Sequence, residues 1–131
     1  MREMMERPAF PALAGAQFMV LTTFRRDGRA APTTVWFAQD GGVLYGTTST
    51  NTGKAKRMRA TERVTVAPST WNGQVLGPEA PGSARILAVE DSPKADAALL
   101  AKYPEYGQIV TRANAASGDW GDRIFFVVRP G

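Results

Sequence analysis

The pattern of apolar and polar positions is typical of β-strands from residue 18 onward. Several segments alternate with a period of two and are rich in β-branched and aromatic residues, the composition that favours strands. In the last segment both alternating faces are apolar, so we expect that strand to be buried on both sides. The pattern predicts six strands, at residues 18–24, 29–38, 43–48, 63–69, 83–90 and 122–129.

Turn signals and short helical patterns separate these strands. Asp27-Gly28 predicts a hairpin turn after the first strand, because this dipeptide tolerates positive backbone angles. Ser92 and Pro93 are typical of an N-cap and a first helical position. The helical patterns cover residues 1–17, with breaks at Pro8 and Pro11, and residues 54–61, 93–103 and 106–115.

The order of elements predicts a mainly β fold with small helices, in one domain over residues 1–131. Consecutive hairpins of short strands are typical of a closed or split antiparallel barrel. Pro32 cannot donate a hydrogen bond to a neighbouring strand, so its strand should have an edge or a bulge there.

Composition narrows the chemistry. The chain has no cysteine and no histidine, which excludes thiolate chemistry, Ser-His-Asp hydrolysis and the usual zinc sites. If the protein is an enzyme, we therefore expect a bound cofactor to carry the reaction, and we predict no metal. The net charge of +4 suits an anionic ligand. No apolar stretch reaches the roughly 20 residues that span a bilayer, and the charged start is unlike a signal peptide, so we expect a cytoplasmic protein with no membrane partner.

The segment 47–59 combines hydroxyl groups, a glycine and several cations. A strand end rich in hydroxyls followed by a basic helical turn can hold a phosphate, although a solvated basic helix would give the same pattern. Lys54 and Arg57 lie one turn apart and should face the same ligand, whereas Lys56 should point away. Aromatic residues do not interleave with the cations, so we do not predict nucleic-acid binding.

The ordered set of these segments resembles the pyridoxamine-phosphate-oxidase-like split β-barrels. It is more closely similar to the branch of that family that uses the deazaflavin coenzyme F420. The resemblance covers residues 18–89 well and extends weakly to the C-terminus. The residues that carry it are 21–28, 33–37, 44–48, 53–59, 63–68, 73–78 and 84–87.

The resemblance implies a six-stranded antiparallel split β-barrel of the FMN-binding type and a cofactor site shared by two subunits. It places the cofactor ring against Pro32, Thr33, Thr34, Val35 and Trp36. It places the phosphate-bearing tail against Thr47, Thr48, Lys54, Lys56 and Arg57. Homodimers are typical of the family, and Trp36, Phe37, Phe125 and Phe126 offer more aromatic area than one small core needs, so we expect a two-fold dimer.

The resulting hypothesis is an F420-dependent oxidoreductase that transfers a hydride between the reduced cofactor and an unsaturated small molecule. We favour F420 over FMN because its tail adds carboxylates to the phosphate, and Lys54, Lys56, Arg57 and Arg59 exceed what one phosphate requires. Two alternatives remain open, an FMN-dependent oxidoreductase of the same fold and a carrier that binds flavin or F420 without turnover. No side chain is assigned a catalytic role, because the cofactor performs its own redox chemistry and protons can come from solvent.

Overall fold

The computed structural model describes residues 9–105 and 123–131, and this part of the chain is mainly β. Two helices, α1 (Gly53–Ala60) and α2 (Ser92–Lys102), accompany the strands, and two short 3-10 turns lie at Pro11–Leu13 and Val89–Asp91. Among the described residues there is no helix with the length and apolar character needed to cross a bilayer. The strands are β1 (Phe18–Phe24), β2 (Ala30–Val35), β3 (Phe37–Asp40), β4 (Val43–Ser49), β5 (Arg63–Ser69), β6 (Ala80–Ile86) and β7 (Arg123–Pro130).

All strands belong to one antiparallel sheet in the order β2-β1-β5-β6-β7-β4-β3. The two ends of this order, β2 and β3, are consecutive in the chain and are separated by Trp36 alone. The sheet must therefore curl until its two ends meet, which gives the split-barrel fold that the sequence predicts.

The strand count differs from the prediction, because seven strands form in the described residues where six were expected. The predicted strand 29–38 breaks at Trp36 and changes partners. Its first part pairs with β1, with Val35 opposite Met19, and its second part pairs with β4, with Phe37 opposite Gly46. The edge position of Pro32 is confirmed, since β2 ends the sheet order and pairs with β1 alone.

Two cores lie on opposite faces of β7. Phe126 and Val128 pack inside the barrel, whereas Phe125 and Val127 pack on the outer face with Leu99 of α2. The prediction that this strand is buried on both sides is confirmed. The aromatic argument for a dimer was wrong in part, because Phe37, Phe125 and Phe126 are each at most 1% exposed within one chain.

Some element boundaries also differ from the predictions. Strand β6 begins at Ala80, before the predicted residue 83, because Pro81 and Gly82 join the ladder opposite Thr65 and Val64. Asp91 is the cap residue of α2, while the Ser92 hydroxyl donates to the Ala88 carbonyl oxygen at 3.0 Å. The predicted helix 106–115 and the first eight residues of the predicted N-terminal helix lie outside the described residues.

Candidate functional site

Positively charged residues border a cleft between α1 and the β1–β2 turn, which has a cavity volume of about 660 Å³. The turn closes through hydrogen bonds between residues 25, 28 and 29, and Gly28 adopts a φ of 89° that favours glycine. This confirms the predicted hairpin and fixes the side of the cleft opposite α1. The cleft is lined by Phe24, Arg25, Arg26, Gly28, Lys56, Arg57, Ala60, Thr61 and Arg63.

The cations of the cleft take no part in the ion pairs of the described residues. Within residues 9–105 and 123–131, none of Arg25, Arg26, Lys56, Arg57 and Arg63 forms an ion pair with a carboxylate. The one carboxylate of the β1–β2 turn, that of Asp27, is paired with Arg29 outside the cleft at 2.8 Å. Clustered cations without counter-charges raise the local positive potential, so the cleft attracts anions.

Arg57 connects α1 to the sheet. Its Nε donates to the Thr23 hydroxyl on β1 at 2.6 Å, and its guanidinium folds back over the start of α1. A β-carbon on Gly53 would lie 2.7 Å from Arg57 Nη1, so glycine at this position leaves room for the guanidinium. Because the guanidinium is held by Nε, its position against β1 is set before any ligand arrives.

Lys54 lies close to Arg57, as the three-residue spacing predicts. Burial lowers the pKa of Lys54, and the neighbouring positive charge of Arg57 lowers it further. Two adjacent cations would gain from a shared anion, which would offset their repulsion. Lys56 is exposed and lines the cleft with Arg57, whereas Lys54 is not among the lining residues. For this cleft, the prediction that Lys54 shares the ligand with Arg57 while Lys56 points away was therefore wrong.

The two predicted hydroxyl residues face different neighbours, because successive strand residues point to opposite sides. The Thr48 hydroxyl lies 3.3 Å from that of Thr52, the residue that caps α1 by accepting from the Ala55 amide at 3.3 Å. The Thr47 hydroxyl donates to the Ile124 carbonyl oxygen at 2.8 Å and accepts from Arg123 at 3.2 Å. The structure therefore places Thr48 at the start of α1 and Thr47 beside β7.

The predicted ring-binding residues, Pro32 to Trp36, occupy β2 and the junction after it. Pro32 is exposed, Val35 is buried in the barrel core, and the remaining three are half-buried. The Thr34 hydroxyl lies 3.0 Å from the position that a β-carbon on Gly73 would occupy, so the loop after β5 borders this strand.

Thr23 joins β2, the strand predicted to meet the cofactor ring, to Arg57. Its hydroxyl meets Arg57 at 2.6 Å and the carbonyl oxygen of Ala31, the residue before Pro32, at 3.4 Å. Strand β2 and one cation of the cleft are thus neighbours through a single threonine. Sequence reasoning did not assign a site role to Thr23, Arg25, Arg26 or Arg123, and the signal for the two turn arginines was their place directly before Asp27-Gly28.

The described residues contain no group of three or more carboxylates that could hold a metal ion. What the cleft offers is cationic and hydroxyl donors around an open space, which suits phosphate and carboxylate groups. These donors fit the anionic tail of a flavin-type cofactor.

The sequence profile described as pyridoxamine 5′-phosphate oxidase matches residues 7–131, so the chain belongs to this family. No curated protein sequence matches the chain.

The names of solved structures with a similar fold refer to several different cofactors. A structure named F420 reductase superposes with a TM-score of 0.65 at 25% identity and covers 93% of this chain and 92% of its own. A FAD-binding protein from Mesorhizobium loti gives a TM-score of 0.64 at 17% identity over 94% of this chain and 87% of its own. A haem-binding protein from Mycobacterium smegmatis gives a TM-score of 0.66 at 17% identity. The match covers 93% of this chain and 49% of that protein, so the chain spans about half of its length. The last two likenesses concern the fold alone.

Proposed function

We propose that this chain is an F420-dependent oxidoreductase that transfers a hydride between the reduced deazaflavin and an unsaturated small molecule. The observation that carries the proposal is the cleft of cations that form no ion pair within residues 9–105 and 123–131, joined through Thr23 to the strand expected to meet the cofactor ring. Family membership supports a flavin-type cofactor, and the similarity to a structure named F420 reductase favours the deazaflavin within that class.

The charge of the cleft favours a long anionic tail. A single phosphate is satisfied by two or three cations, whereas five line the cleft and Lys54 adds another beside Arg57. The tail of F420 carries carboxylates beyond its phosphate and would use the additional arginines of the β1–β2 turn. FMN, with one phosphate, remains the alternative cofactor.

In this proposal the chain binds and orients. Backbone groups of residues 32–36 hold the ring edge, while Lys54, Lys56 and Arg57 neutralise the tail. Thr48 supports the tail site by contacting the residue that caps α1, and Thr47 meets the tail region with Arg123. When bound, the deazaflavin supplies hydride transfer, so the protein accelerates the reaction by holding the substrate over the ring.

A homodimer is part of the proposal. The connection between β5 and β6 exposes three large apolar side chains, Trp71 at 75%, Leu76 at 62% and Val75 at 54%. The loop is held in shape by hydrogen bonds, including Leu76 N to Pro68 O at 2.8 Å and Thr70 N to Gln74 O at 2.9 Å. A fixed apolar surface of this kind suits a second copy of the chain.

We expect sedimentation at micromolar concentration to show a dimer. Trp71→Ser and Leu76→Ser should shift it toward monomer, because each removes apolar area from the contact. Val89→Ser, at an exposed apolar residue of another loop, is the matched control and should leave the dimer intact. A parent protein that sediments only as a monomer would contradict this part of the proposal. The cytoplasmic location stays a prediction.

Turnover distinguishes the oxidoreductase from a carrier. Reduced F420 should be oxidised in the presence of this protein and a panel of small molecules with activated double bonds or carbonyl groups. The return of deazaflavin absorbance measures the rate of this oxidation. That rate should exceed the rate for reduced F420 and substrate without the protein. Tight binding of the cofactor without oxidation across the panel would favour the carrier function.

A further inference from the structure

The end of α2 reaches the junction where β2 becomes β3. Lys102 is the last residue of α2 and Tyr103 is its cap residue, and both contact backbone about 65 residues earlier in the chain. Sequence reasoning attached no role to either residue, and the proposed function does not use them.

Tyr103 holds the junction with both parts of its side chain. Its ring stacks on the Trp36 indole, with centroids 4.6 Å apart and planes inclined by 21°. Its hydroxyl accepts from the Phe37 amide at 3.0 Å and has the carbonyl oxygens of Gln17 and Phe37 within donating distance, at 2.6 and 2.8 Å. Burial raises the pKa of Tyr103 to about 12, so the hydroxyl keeps its proton at neutral pH.

Lys102 holds the same peptide from a second direction. Its Nζ donates to the carbonyl oxygens of Ala16 at 2.8 Å and Phe37 at 2.9 Å, and it lies 3.5 Å from the centroid of the Phe37 ring. Among the described residues no carboxylate pairs with this ammonium. Two carbonyl dipoles and an aromatic face contact the ammonium. Burial nevertheless lowers the pKa of Lys102 to about 8.

These contacts meet at the point where the sheet changes direction. Val35 pairs with β1, Phe37 pairs with β4, and Trp36 between them is the last of the predicted ring-binding residues. The segment that precedes β1 is fixed at the same place through Ala16 and Gln17. The path of the strand from Pro32 to Trp36 thus depends on what holds its two ends.

We propose that Lys102 and Tyr103 are positioning residues of the cofactor-ring site, which fix the indole plane of Trp36 and the peptide of Phe37 and so set the shape of the ring-binding strand. Neither residue touches the cofactor in this account. The inference rests on the proposed function, because it assumes that the ring lies against residues 32–36.

The first test measures cofactor affinity in Tyr103→Phe and Lys102→Met. Each variant keeps the bulk of the side chain and removes its polar contacts to the backbone. Since a change in a residue that acts on a site through its neighbours alters the coupling by about 0.5–2 kcal/mol, we expect F420 affinity to fall about two- to thirtyfold in each variant. Val64→Ala on β5, a core residue that pairs with Gly82 on β6 rather than with β2 or β3, is the control for a general loss of stability and should change affinity less than about twofold.

The second test needs no cofactor. In a Trp71→Phe, Trp120→Phe background, Trp36 is the one indole of the chain. Tyr103→Leu, which removes the stacked ring, and Lys102→Met should both shift the emission of Trp36, whereas Val64→Ala should not.

The outcomes separate the two proposals. Unchanged Trp36 emission in Tyr103→Leu and Lys102→Met overturns the positioning role. Shifted emission with unchanged F420 affinity in Tyr103→Phe and Lys102→Met overturns the link to the ring site. A parent protein that binds neither F420 nor FMN overturns the proposed function, and the role in a ring site falls with it, even where the emission test shows that Trp36 is held by this pair.

Discussion

Replacing Arg57 with alanine should weaken F420 binding about 10- to 150-fold, because a charge-assisted hydrogen bond contributes about 1.5–3 kcal/mol and 1.4 kcal/mol is a factor of ten. Arg57 lines the cleft and is held in place, with Nε on Thr23 and the guanidinium over Gly53. Its preset position means that little side-chain entropy is lost when an anion binds. Isothermal titration calorimetry of the parent and of Arg57→Ala with F420 measures the loss of affinity.

Companion variants separate the roles of the charges. We expect Lys56→Ala to weaken binding more than Lys54→Ala, because Lys56 lines the cleft with Arg57 whereas Lys54 does not. Thr23→Val should cause part of the loss of affinity expected for Arg57→Ala, because it removes the hydroxyl that accepts from Arg57 Nε. Arg29→Ala is the control, since Arg29 is an exposed arginine already paired with Asp27, and exposed charges contribute about 0–1 kcal/mol. Equal losses in Arg57→Ala and Arg29→Ala would show that α1 is only a solvated basic surface.

Phe126→Ala should reduce the free energy of unfolding by about 3–5 kcal/mol, the usual cost of removing a fully buried phenylalanine. Phe126 is completely buried inside the barrel, opposite Gly46 on β4. A β-carbon on Gly46 would overlap the Phe126 ring, so the ring lies across the space that a side chain would fill. Urea denaturation of parent and variant measures the change in stability.

The pairing with Gly46 gives a sharper test of the same packing. Gly46→Ala should destabilise the fold by about 1–3 kcal/mol through overpacking. Adding Phe126→Leu should recover part of that loss, because the shorter side chain vacates the contested space, so the two changes should not be additive. Ile124→Leu on the half-buried end of the same strand is the control. Strict additivity of Gly46→Ala and Phe126→Leu would contradict the close approach.

Local patterns were sufficient to predict most of the fold. Asp27-Gly28 marked the hairpin and the two-sided apolar pattern of β7 marked a central strand, because both signals act over a few residues. The break at Trp36 was not visible, since the residues on either side are equally good strand formers and the change of partner is a tertiary event. The predicted strand 83–90 left out Pro81 and Gly82, because both residue types are poor strand formers, yet they pair with Thr65 and Val64 at the start of β6.

The candidate site, like the fold, was predictable only where its residues are close together in the sequence. The basic segment was visible because Lys54, Lys56 and Arg57 are adjacent in sequence. The contribution of Arg25 and Arg26 was not, because the curl of the sheet brings the β1–β2 turn to α1 across about 30 residues of chain. The contact between Tyr103 and Trp36 was not predictable either, because it depends on the packing of α2 against the sheet.

The central claim is that the chain binds a flavin-type cofactor through its cationic cleft. Titration of the protein with three ligands, monitored by absorbance, tests this claim most directly. These are F420, FMN and a deazaflavin that lacks the phosphate and the tail. We predict saturable binding of F420 at one molecule per chain, weaker binding of FMN, still weaker binding of the tailless ring, and an F420 affinity that falls as salt is raised. No binding of F420 or FMN, or equal and salt-independent affinity for all three ligands, would contradict the account.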